Sequence, residues 1–377
     1  MAIFESRRDG AVEVDVCGDI SAVRADWSTL ESTGACTPFQ TRAWLEPWYA
    51  KVAPHFYAKP FFVRVRDRAT GAPLMLLPLI KRRDAGLAVV EFADLGVSDY
   101  QAPLFAADAD ALRGAKPTLW AEIQAALRPA DLFRVEKVPA HVGGARNPLA
   151  DIARRRMNFS AWDVALPKTR ETFDAGLPDP SFLRELARKS RRIGGKGEVR
   201  FAEAVTPQEL IRAFDALCQQ RAARFAELGR DNILGHEPFY AFYRSVALAE
   251  TDRVARLFTL CVDDEIVGTI FGLARNGRFC MIMSTIGDAR WKSSSPGNVA
   301  MDRLISQLIG EGGGVLDFTI GDEAYKKSFG ATERELGAGV LSLSWRGSPR
   351  LVVDYARKAI RGRREFAALG AAILRTR

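Results

Sequence analysis

Short runs of apolar residues recur along both halves of the chain, and between them apolar residues repeat at helical spacing. Continuous or alternating runs of this length are typical of strands, and the three-to-four-residue repeat is typical of helices. The runs are 60–66, 74–81 and 87–92 in the first half, and 255–262, 266–275 and 278–285 in the second. Asn276-Gly277 is a strong signal for a tight hairpin between the last two runs. Each trio predicts three antiparallel strands in succession.

The order of predicted elements is the same in both halves: a strand, two helices, three antiparallel strands, a helix and a final strand. The predicted fold class is therefore α/β (α+β), with two domains, each a mixed, mostly antiparallel sheet flanked by helices. We expect 159–166 to end the first sheet, 340–345 to close the second, and Pro117 to open a helix. The predicted divisions are 1–166 for the N-terminal domain, 167–197 for a linker with a helix, 198–347 for the C-terminal domain and 348–377 for a basic C-terminal helix.

The composition fits two globular domains, because the chain has 377 residues, of which 47% are hydrophobic and 27% charged. No run approaches the roughly 18 apolar residues of a membrane span. The first residues lack the apolar core of a signal peptide, so we expect a cytoplasmic protein. The basic C-terminal helix adds the alternative of peripheral attachment to the inner membrane face. A net charge of +8 favours anionic partners, namely phosphate cofactors, nucleic acid or acidic membrane, without choosing among them.

The cysteines and histidines are scattered and show no spacing typical of a metal site or a disulfide framework. They are Cys17, Cys36, Cys218, Cys261 and Cys280, with His55, His141 and His236. We expect reduced, mostly buried thiols and no metal.

One stretch near the C-terminus combines a short strand, a sharp turn and three kinds of reactive side chain. Residues 315–318 form an apolar run that carries Asp317 near its end, and Gly321 permits a turn. Asp322 can cap the helix that follows, and Tyr325 and Lys326 lie on its first turns. Because ligands collect at the carboxyl ends of strands in open α/β sheets, a carboxylate, a phenol and an amine here are a plausible catalytic set. The same pattern also fits a strand, a loop and a solvated helix without chemistry.

A second candidate lies between the third strand of the second trio and the helix that follows. The loop 288–297 ends in Ser295-Pro296-Gly297 and leads into a helix over 298–309. Helix N-termini bind anions, because their first N–H groups are free and the helix dipole is positive there. Gly297 permits close approach to a phosphate, and Lys292 and the serines 293–295 add donors. The alternative is an ordinary capped turn.

These two stretches resemble the acetyltransferases of the GNAT fold. Ser295-Pro296-Gly297, Asp317-Phe318, Gly321 and the Tyr325-Lys326-x-x-Phe329-Gly330 motif occur in order, as in the CelD/BcsL family annotated for cellulose biosynthesis. The chain is similar also to the Fem-type aminoacyltransferases, which share a tandem GNAT fold. The resemblance extends to 39–44, 76–79 and Ser98-Asp99-Tyr100 and covers most of 30–345. It implies tandem GNAT-like domains with a donor site in the second.

The resemblance implies a site for an acyl-CoA, either acetyl-CoA or a longer one. The donor thioester would lie along 281–285, with Met281, Met283 and Thr285 beside it. The pyrophosphate would meet the loop 292–298. The residues implied there are Lys292, Ser295, Gly297 and Asn298.

The resemblance also implies the chemical roles. Tyr325 would protonate the departing thiolate, and Lys326 would neutralise a donor phosphate or the oxyanion. Asp317 or Asp322 would accept the acceptor's proton. A helix-surface lysine and a plain helix cap are the alternatives for Lys326 and Asp322. Cys280 is expected in the core, because direct transfer needs no covalent nucleophile.

The residues expected to bind the acceptor lie partly in the first half of the chain. Asp99 and Tyr100 would hold the acceptor, although Asp-Tyr pairs are common in loops. A basic cluster on the linker helix is expected to spread round that helix and to be mostly solvated, with binding of an anionic or lipid-linked acceptor as the alternative. This cluster comprises Arg184, Arg188, Lys189, Arg191 and Arg192.

The leading hypothesis is an acyl-CoA-dependent N- or O-acyltransferase acting on a sugar or a cell-envelope or exopolysaccharide precursor. Its acceptor would be a small molecule or lipid-linked, and no specific nucleic-acid partner is expected. One rival is a Fem-like transferase that uses aminoacyl-tRNA. The other is a non-catalytic GNAT module that binds an anionic surface through its basic C-terminal helix.

Overall fold

The computed structural model describes residues 11–108, 110–251 and 253–347. The basic helix predicted for 348–377 lies outside them, and its attachment to a membrane stays a prediction. The described strands are β1 (Val12–Cys17), β2 (Lys59–Asp67), β3 (Pro73–Asp84), β4 (Leu87–Phe92), β5 (Leu104–Phe105), β6 (Leu132–Pro139), β7 (His141–Val142), β8 (Ala145–Arg146), β9 (Arg155–Arg156), β10 (Ala161–Leu166), β11 (Val199–Glu203), β12 (Ala255–Val262), β13 (Glu265–Arg275), β14 (Arg278–Ile286), β15 (Gly314–Ile320), β16 (Thr332–Arg334) and β17 (Leu336–Ser342). The described helices are α1 (Ile20–Thr33), α2 (Arg42–Lys51), α3 (Asp110–Ala126), α4 (Arg170–Ala175), α5 (Pro180–Gly194), α6 (Pro207–Glu227), α7 (Glu237–Ala247), α8 (Pro296–Gly310) and α9 (Ala324–Ser328).

The described residues form two compact units, 11–158 with 335–347 and 159–334. The main sheet of the first unit has the order β1-β2-β3-β4-β6-β17-β9, and β5 pairs with β3 beside this path. The sheet of the second unit has the order β11-β12-β13-β14-β15-β10-β16. In each sheet one parallel pair, β4–β6 or β14–β15, interrupts otherwise antiparallel neighbours. The predicted mixed, mostly antiparallel sheets flanked by helices are therefore confirmed.

Two strands belong to the opposite sheet from the one the sequence suggested. The strand β10, expected to end the first sheet, pairs with β15 and β16 of the second. The strand β17, expected to close the second sheet, pairs with β6 and β9 of the first. Alternation shows that a segment is a strand, but its partner is chosen by tertiary packing. For β10 that packing includes an ion pair between Asp163 and Arg278 of β14, with N···O 3.2 Å.

Local signals agree with most helix starts. Helix α6 begins with the predicted capping box, in which Thr206 and Glu209 bond to each other's backbone N–H groups. Helix α5 is capped by Asp179, whose carboxylate accepts from Ser181 N at 2.8 Å. Helix α3, in contrast, begins at Asp110, so Pro117 does not open it.

Each unit has its own apolar core. In the first, Leu119 and Ile123 of α3, and Leu127 directly after it, belong to a buried cluster with residues of the strands. In the second, Leu186 of α5 and Leu304 of α8 belong to the buried cluster that also includes residues of β12–β15. This packing fixes α8 against the strands that carry the candidate site.

Candidate active site

The strands β14 and β15 run parallel for only three residue pairs and then part. The last pair is Cys280 with Asp317. Beyond it, Met281–Ile286 continues to pair with β13, whereas Ile320 pairs with Ala161 of β10. The backbone edge of β14 therefore opens toward a wedge between the two strands. Such an edge can accept an extended ligand through main-chain hydrogen bonds.

A bulge in β14 changes which way its side chains face. The register shifts so that Met281 opposes Gly272 while Met283 opposes Phe271, which leaves Ile282 as an extra residue. Met281 joins the core cluster of α5 and α8. Thr285 instead donates to Oε1 of Gln220 on α6 at 2.6 Å and also bonds to Thr269. Met281, Met283 and Thr285 thus lie close to the point where β14 and β15 separate, and both methionines are buried.

The N-terminus of α8 has an unsatisfied set of donors. Ser295 adopts a left-handed conformation with φ 49°, and its side chain does not cap the helix. Pro296 has no N–H, while the N–H of Asn298 bonds to Ser295 O at 3.1 Å. Among the described residues, the Gly297 N–H has no hydrogen-bond partner. The Ser294 hydroxyl is fully buried and also has no partner within the described chain. Buried polar groups are normally satisfied, so the Ser294 hydroxyl, together with the part-exposed Gly297 N–H at the helix N-terminus, makes this loop a candidate ligand position.

The cations at this loop differ from those the sequence suggested. Lys292 pairs with Glu227 at 2.8 Å, so its charge is partly neutralised. Two residues that sequence reasoning did not assign to the donor lie close by. Arg192 donates to Ser293 O at 3.1 Å, and the Lys196 ammonium lies 4.4 Å from the centre of the Trp291 ring. Neither Arg192 nor Lys196 has a carboxylate within 4.0 Å in the described part of the chain. Only the position of α5, which a sequence pattern does not report, brings them to the loop.

Tyr325 lies on α9, the short helix that follows β15. Its ring packs edge-on against Phe318, with centroids 6.0 Å apart. Burial, helped by the charge of Glu323, raises the pKa of the phenol well above its ordinary value. Its hydroxyl makes no hydrogen bond to any described residue. Because β14 and β15 are parallel, α9 and the loop before α8 follow the same edge of the sheet. A neutral phenol therefore lies at the carboxyl edge that holds the wedge, and its role as the proton donor stays a prediction.

Lys326 is buried, with 2% of its surface exposed. Its ammonium donates to Ile320 O at 3.1 Å and Gly321 O at 2.8 Å, and it pairs with Glu323 at 2.9 Å. Three acceptors use all three donors of an ammonium group. The geometry therefore suits a residue that holds the β15–α9 turn.

The two aspartates have partners that limit their roles. Asp317 is 1% exposed and pairs with Arg278 at 2.7 Å, so it is held as an anion inside the sheet. Asp322 is exposed and accepts from the Trp162 indole N–H at 3.0 Å. It does not cap α9, because the residue at that position is Glu323. Of the two, Asp322 is the one that solvent can reach.

The acceptor residues predicted in the first unit are both buried there. Asp99 is 9% and Tyr100 is 6% exposed. The Tyr100 ring packs edge-on against Phe39 at 5.7 Å, and its carbonyl accepts from Gln40 at 2.9 Å. The acceptor-binding role of this pair stays a prediction.

In the first unit, the space after the parallel pair is filled by the chain itself. The segment 94–101 follows β4, and Gln101 bonds through its N–H to Lys137 O at 3.0 Å and through Oε1 to Glu136 N at 2.7 Å. A buried ion pair of 2.5 Å joins Lys137 to Asp94. This segment occupies the position that is open between β14 and β15. The geometry thus favours the second unit for donor binding.

A groove of about 580 Å³, lined by both polar and apolar side chains, runs along α6 beside the start of β13. Its lining includes Gln208, Arg212, Asp215, Gln219 and Gln220. Gln220 connects it with β14, because this side chain also accepts the Thr285 hydrogen bond.

No group of three or more His, Cys, Asp or Glu side chains that could hold a metal ion occurs in the described residues. The five cysteines are free, but only Cys261 and Cys280 are buried, so the expectation of mostly buried thiols is wrong. Burial, with the charge of Asp215, raises the pKa of Cys218 to about 11, so it is a neutral thiol near pH 7. In the part of the chain that the structure describes, no helix is both long and apolar enough to span a membrane.

Comparison with known proteins agrees with this geometry. Residues 180–327 match the acetyltransferase (GNAT) domain family. The match contains the parting strands, the start of α8 and Tyr325, and it supports an acyltransferase. It does not confirm the finer resemblance to the CelD/BcsL family. No match was found among curated protein sequences.

Solved structures show the fold over most of the chain. The chain is similar to FemX, with a TM-score of 0.56, 10% identity, and 84% of this chain and 96% of FemX covered. A tandem GNAT protein from the clavulanic acid biosynthesis pathway (TM-score 0.48, 14% identity, 88% and 99% covered) and L-PGS from Bacillus licheniformis (0.48, 11%, 90% and 96%) are also similar. The FemX likeness shows that the fold extends over most of the chain, and the repeated sheet order gives the first unit the same arrangement as the second unit, which contains the GNAT match.

Proposed function

We propose that this protein is an acyltransferase that takes the acyl group of an acyl-CoA, acetyl-CoA or a longer one. It transfers that group directly to an amine or hydroxyl of a sugar or a cell-envelope or exopolysaccharide precursor. The pantetheine arm would lie in the wedge between β14 and β15, and the pyrophosphate would lie at the start of α8.

The observation that carries this proposal is the pair of unpartnered donors at the start of α8. A diphosphate oxygen can accept from the Gly297 N–H and from the buried Ser294 hydroxyl, which have no described partner. The positive end of the helix dipole and the nearby cations Arg192 and Lys196 favour the same negative charge.

The residues also support direct transfer. The acceptor nitrogen or oxygen attacks the thioester carbonyl, the new C–N or C–O bond forms, and the C–S bond breaks. Tyr325 gives its proton to the leaving thiolate, while the acceptor releases its own proton to solvent or to a base. Asp322 is the better-placed candidate for that base, because Asp317 is already neutralised by Arg278.

The α6 groove supports a polyhydroxylated acceptor. Its amide, guanidinium and carboxylate side chains are groups that bind hydroxyls through directional hydrogen bonds. The contact between Gln220 and Thr285 links the groove to the strand that would carry the thioester. The sugar or envelope class of acceptor rests further on the resemblance to the CelD/BcsL family.

Calorimetric titration with acetyl-CoA and longer acyl-CoAs tests the proposal on the parent and on Ser294→Ala. Removing a buried hydroxyl without a partner should leave stability unchanged or raise it. If that hydroxyl binds donor phosphate, affinity should fall about 10- to 150-fold, as for one lost hydrogen bond to a charged group. Ser306→Ala on the exposed part of α8 is the control. Equal affinities in all three proteins would remove the phosphate assignment, and binding of aminoacyl-tRNA without any acyl-CoA binding would favour the Fem-like rival.

A further inference from the structure

Three of the five cations of α5 lie on one face of the helix. Arg184, Arg188 and Arg191 are exposed and, at 100° per residue, lie within about 60° of each other. Leu186 and Ile193 on the opposite side are buried against the core. The five-residue cluster as a whole spreads round the helix, as predicted, but three of its arginines form a continuous row, here called the arginine face.

The arginine face forms no ion pair with a described residue and keeps a net positive charge, although the charges of Asp179 and Glu185 lie close enough to interact with Arg184 and Arg188. No carboxylate oxygen of the described chain lies within 4.0 Å of Arg184, Arg188 or Arg191. The neighbouring Glu185 instead pairs with Lys189 at 2.6 Å, at the edge of the face. Uncompensated charge of one sign on a rigid helix attracts a partner of the opposite sign.

The arginine face leads to the proposed donor site. Arg192, one position further along α5, donates to Ser293 O in the loop before α8. From Arg184 to Arg192 the helix rises about 12 Å, at about 1.5 Å per residue. A row of this length suits the carboxylates of a second protein better than the compact diphosphate of a free coenzyme.

Building on the proposed function, we infer that the arginine face docks an acidic acyl carrier protein. Such a carrier presents its acyl thioester on a phosphopantetheine arm, the same group that coenzyme A carries. The arm enters the wedge between β14 and β15. Transfer breaks the carrier's C–S bond, forms the C–N or C–O bond of the product, and releases the carrier as a thiol.

Other polyanions fit the arginine face less well. The exposed large apolar side chains of the described residues are Val16, Tyr57, Val205, Ile211, Leu228 and Trp345, and none lies on α5. Insertion of apolar side chains strengthens binding to a bilayer, and aromatic stacking strengthens binding to single-stranded nucleic acid. A purely electrostatic face instead suits reversible docking of an acidic protein.

The test measures fluorescence anisotropy of a labelled, acetylated bacterial acyl carrier protein at low ionic strength. The variant Arg184→Glu/Arg188→Glu/Arg191→Glu should bind it at least about tenfold more weakly than the parent, because attraction becomes repulsion. The matched control Arg200→Glu/Arg230→Glu/Arg244→Glu reverses three exposed arginines of the same unit and should bind within about twofold of the parent. Acetyl-CoA titration of both variants should match the parent, because Arg192 and Lys196 are unchanged.

The two proposals fail in different ways. A parent that binds acetyl-CoA but not the carrier, or equal loss of carrier binding in both triple variants, overturns the docking inference. Arginine-dependent binding to phosphatidylglycerol vesicles without carrier binding also overturns it, in favour of a membrane. Arginine-dependent carrier binding by a protein that does not bind acetyl-CoA supports the docking inference and contradicts the acyl-CoA donor.

Discussion

The ammonium group of Lys326 donates a hydrogen bond of 2.8 Å to the carbonyl oxygen of Gly321, in the turn that ends β15. Ile320 O and the Glu323 carboxylate use the rest of its donors. A lysine that binds phosphate or an oxyanion needs a free donor aimed at the ligand. This arrangement therefore favours a positioning role for Lys326, through the turn that leads to Tyr325.

The first prediction follows from this role. Lys326→Met should lower the free energy of unfolding by about 2–4 kcal/mol, because two carbonyl oxygens and a carboxylate lose their buried partner. Urea unfolding measures the change. Lys327→Met is the control, since this neighbour is exposed and lies 5.1 Å from the Trp162 ring centre, a contact worth about 0.5–1 kcal/mol. Equal stabilities of the two variants would show that the buried contacts of Lys326 do not hold the turn.

The second prediction concerns Tyr325. Tyr325→Phe keeps the ring that packs on Phe318 and removes only the hydroxyl. Acetyl-CoA affinity should be unchanged, while turnover should fall about 10²–10⁴-fold, the range for loss of a general acid. Single-turnover thiol release with an accepted substrate measures this rate. Tyr57→Phe, at a tyrosine 90% exposed in the first unit, is the control. Parent-like turnover of Tyr325→Phe would place the proton donor elsewhere.

The raised pKa of Tyr325 gives the pH dependence of the same step. Burial favours the neutral phenol, so the proton donor should remain present through neutral and mildly alkaline pH. A fall in the turnover rate between about pH 7 and 9 would therefore be caused by the ionisation of a group other than Tyr325.

The third prediction concerns the start of α8. A Cβ added at Gly297 would lie 3.3 Å from Cγ2 of Ile286, a tight contact that a small shift relieves. Gly297→Ala should therefore fold and bind acetyl-CoA with a modest loss. Gly297→Val adds branched bulk over the free N–H and should weaken binding by about tenfold or more, the equivalent of about 1.4 kcal/mol. Circular dichroism first confirms that both variants fold. Calorimetric titration with acetyl-CoA then compares their affinities. A folded Gly297→Val with the affinity of the parent would contradict donor binding at this N-terminus.

Strands and turns that depend on a few adjacent residues could be predicted from the sequence. The strands β12, β13 and β14 lie within a residue or so of the predicted runs, because Asn276 and Gly277 take the positive φ angles, 47° and 72°, of a tight hairpin. Gly321 likewise has φ 116° at the predicted turn. These features depend on a few adjacent residues, so the sequence alone reports them.

Strand partners and side-chain contacts that depend on tertiary packing could not be predicted from the sequence. The partners of β10 and β17 depend on distant strands. The sequence around Lys326 is compatible with an ammonium group in solvent or one bonded to Gly321. Only the tertiary structure shows that it bonds to Gly321. The approach of Arg192 to the loop before α8 joins residues about a hundred positions apart. Sequence reasoning could therefore name polar side chains as candidates for the site but could not assign their contacts, and their roles stay predictions.

The fourth prediction uses the buried carboxylate of Glu91 in the first unit. Its Oε1 accepts from Arg82 at 2.6 Å, and its Oε2 accepts from Arg134 on the parallel strand at 2.7 Å. Burial alone would raise the pKa of Glu91, but the two guanidinium groups outweigh burial and lower it. Because the pKa is lower in the folded state, the carboxylate stabilises the fold at every pH above its unfolded value of about 4.3. That contribution is lost as the pH falls through the folded pKa.

Glu91→Gln should therefore be about 1–3 kcal/mol less stable than the parent near pH 7, because Arg82 and Arg134 lose one of their two carboxylate partners and keep Asp84, at 3.2 and 3.7 Å. The difference should shrink as the pH falls below about 4, where the parent carboxylate also becomes protonated. Urea unfolding at both pH values measures it, with Glu171→Gln, at an exposed glutamate of the second unit, as the control. A deficit that stays constant between the two pH values would mean that the amide disturbs packing, not charge. A deficit near zero at pH 7 would mean that Arg82 and Arg134 find other partners when Glu91 is neutral.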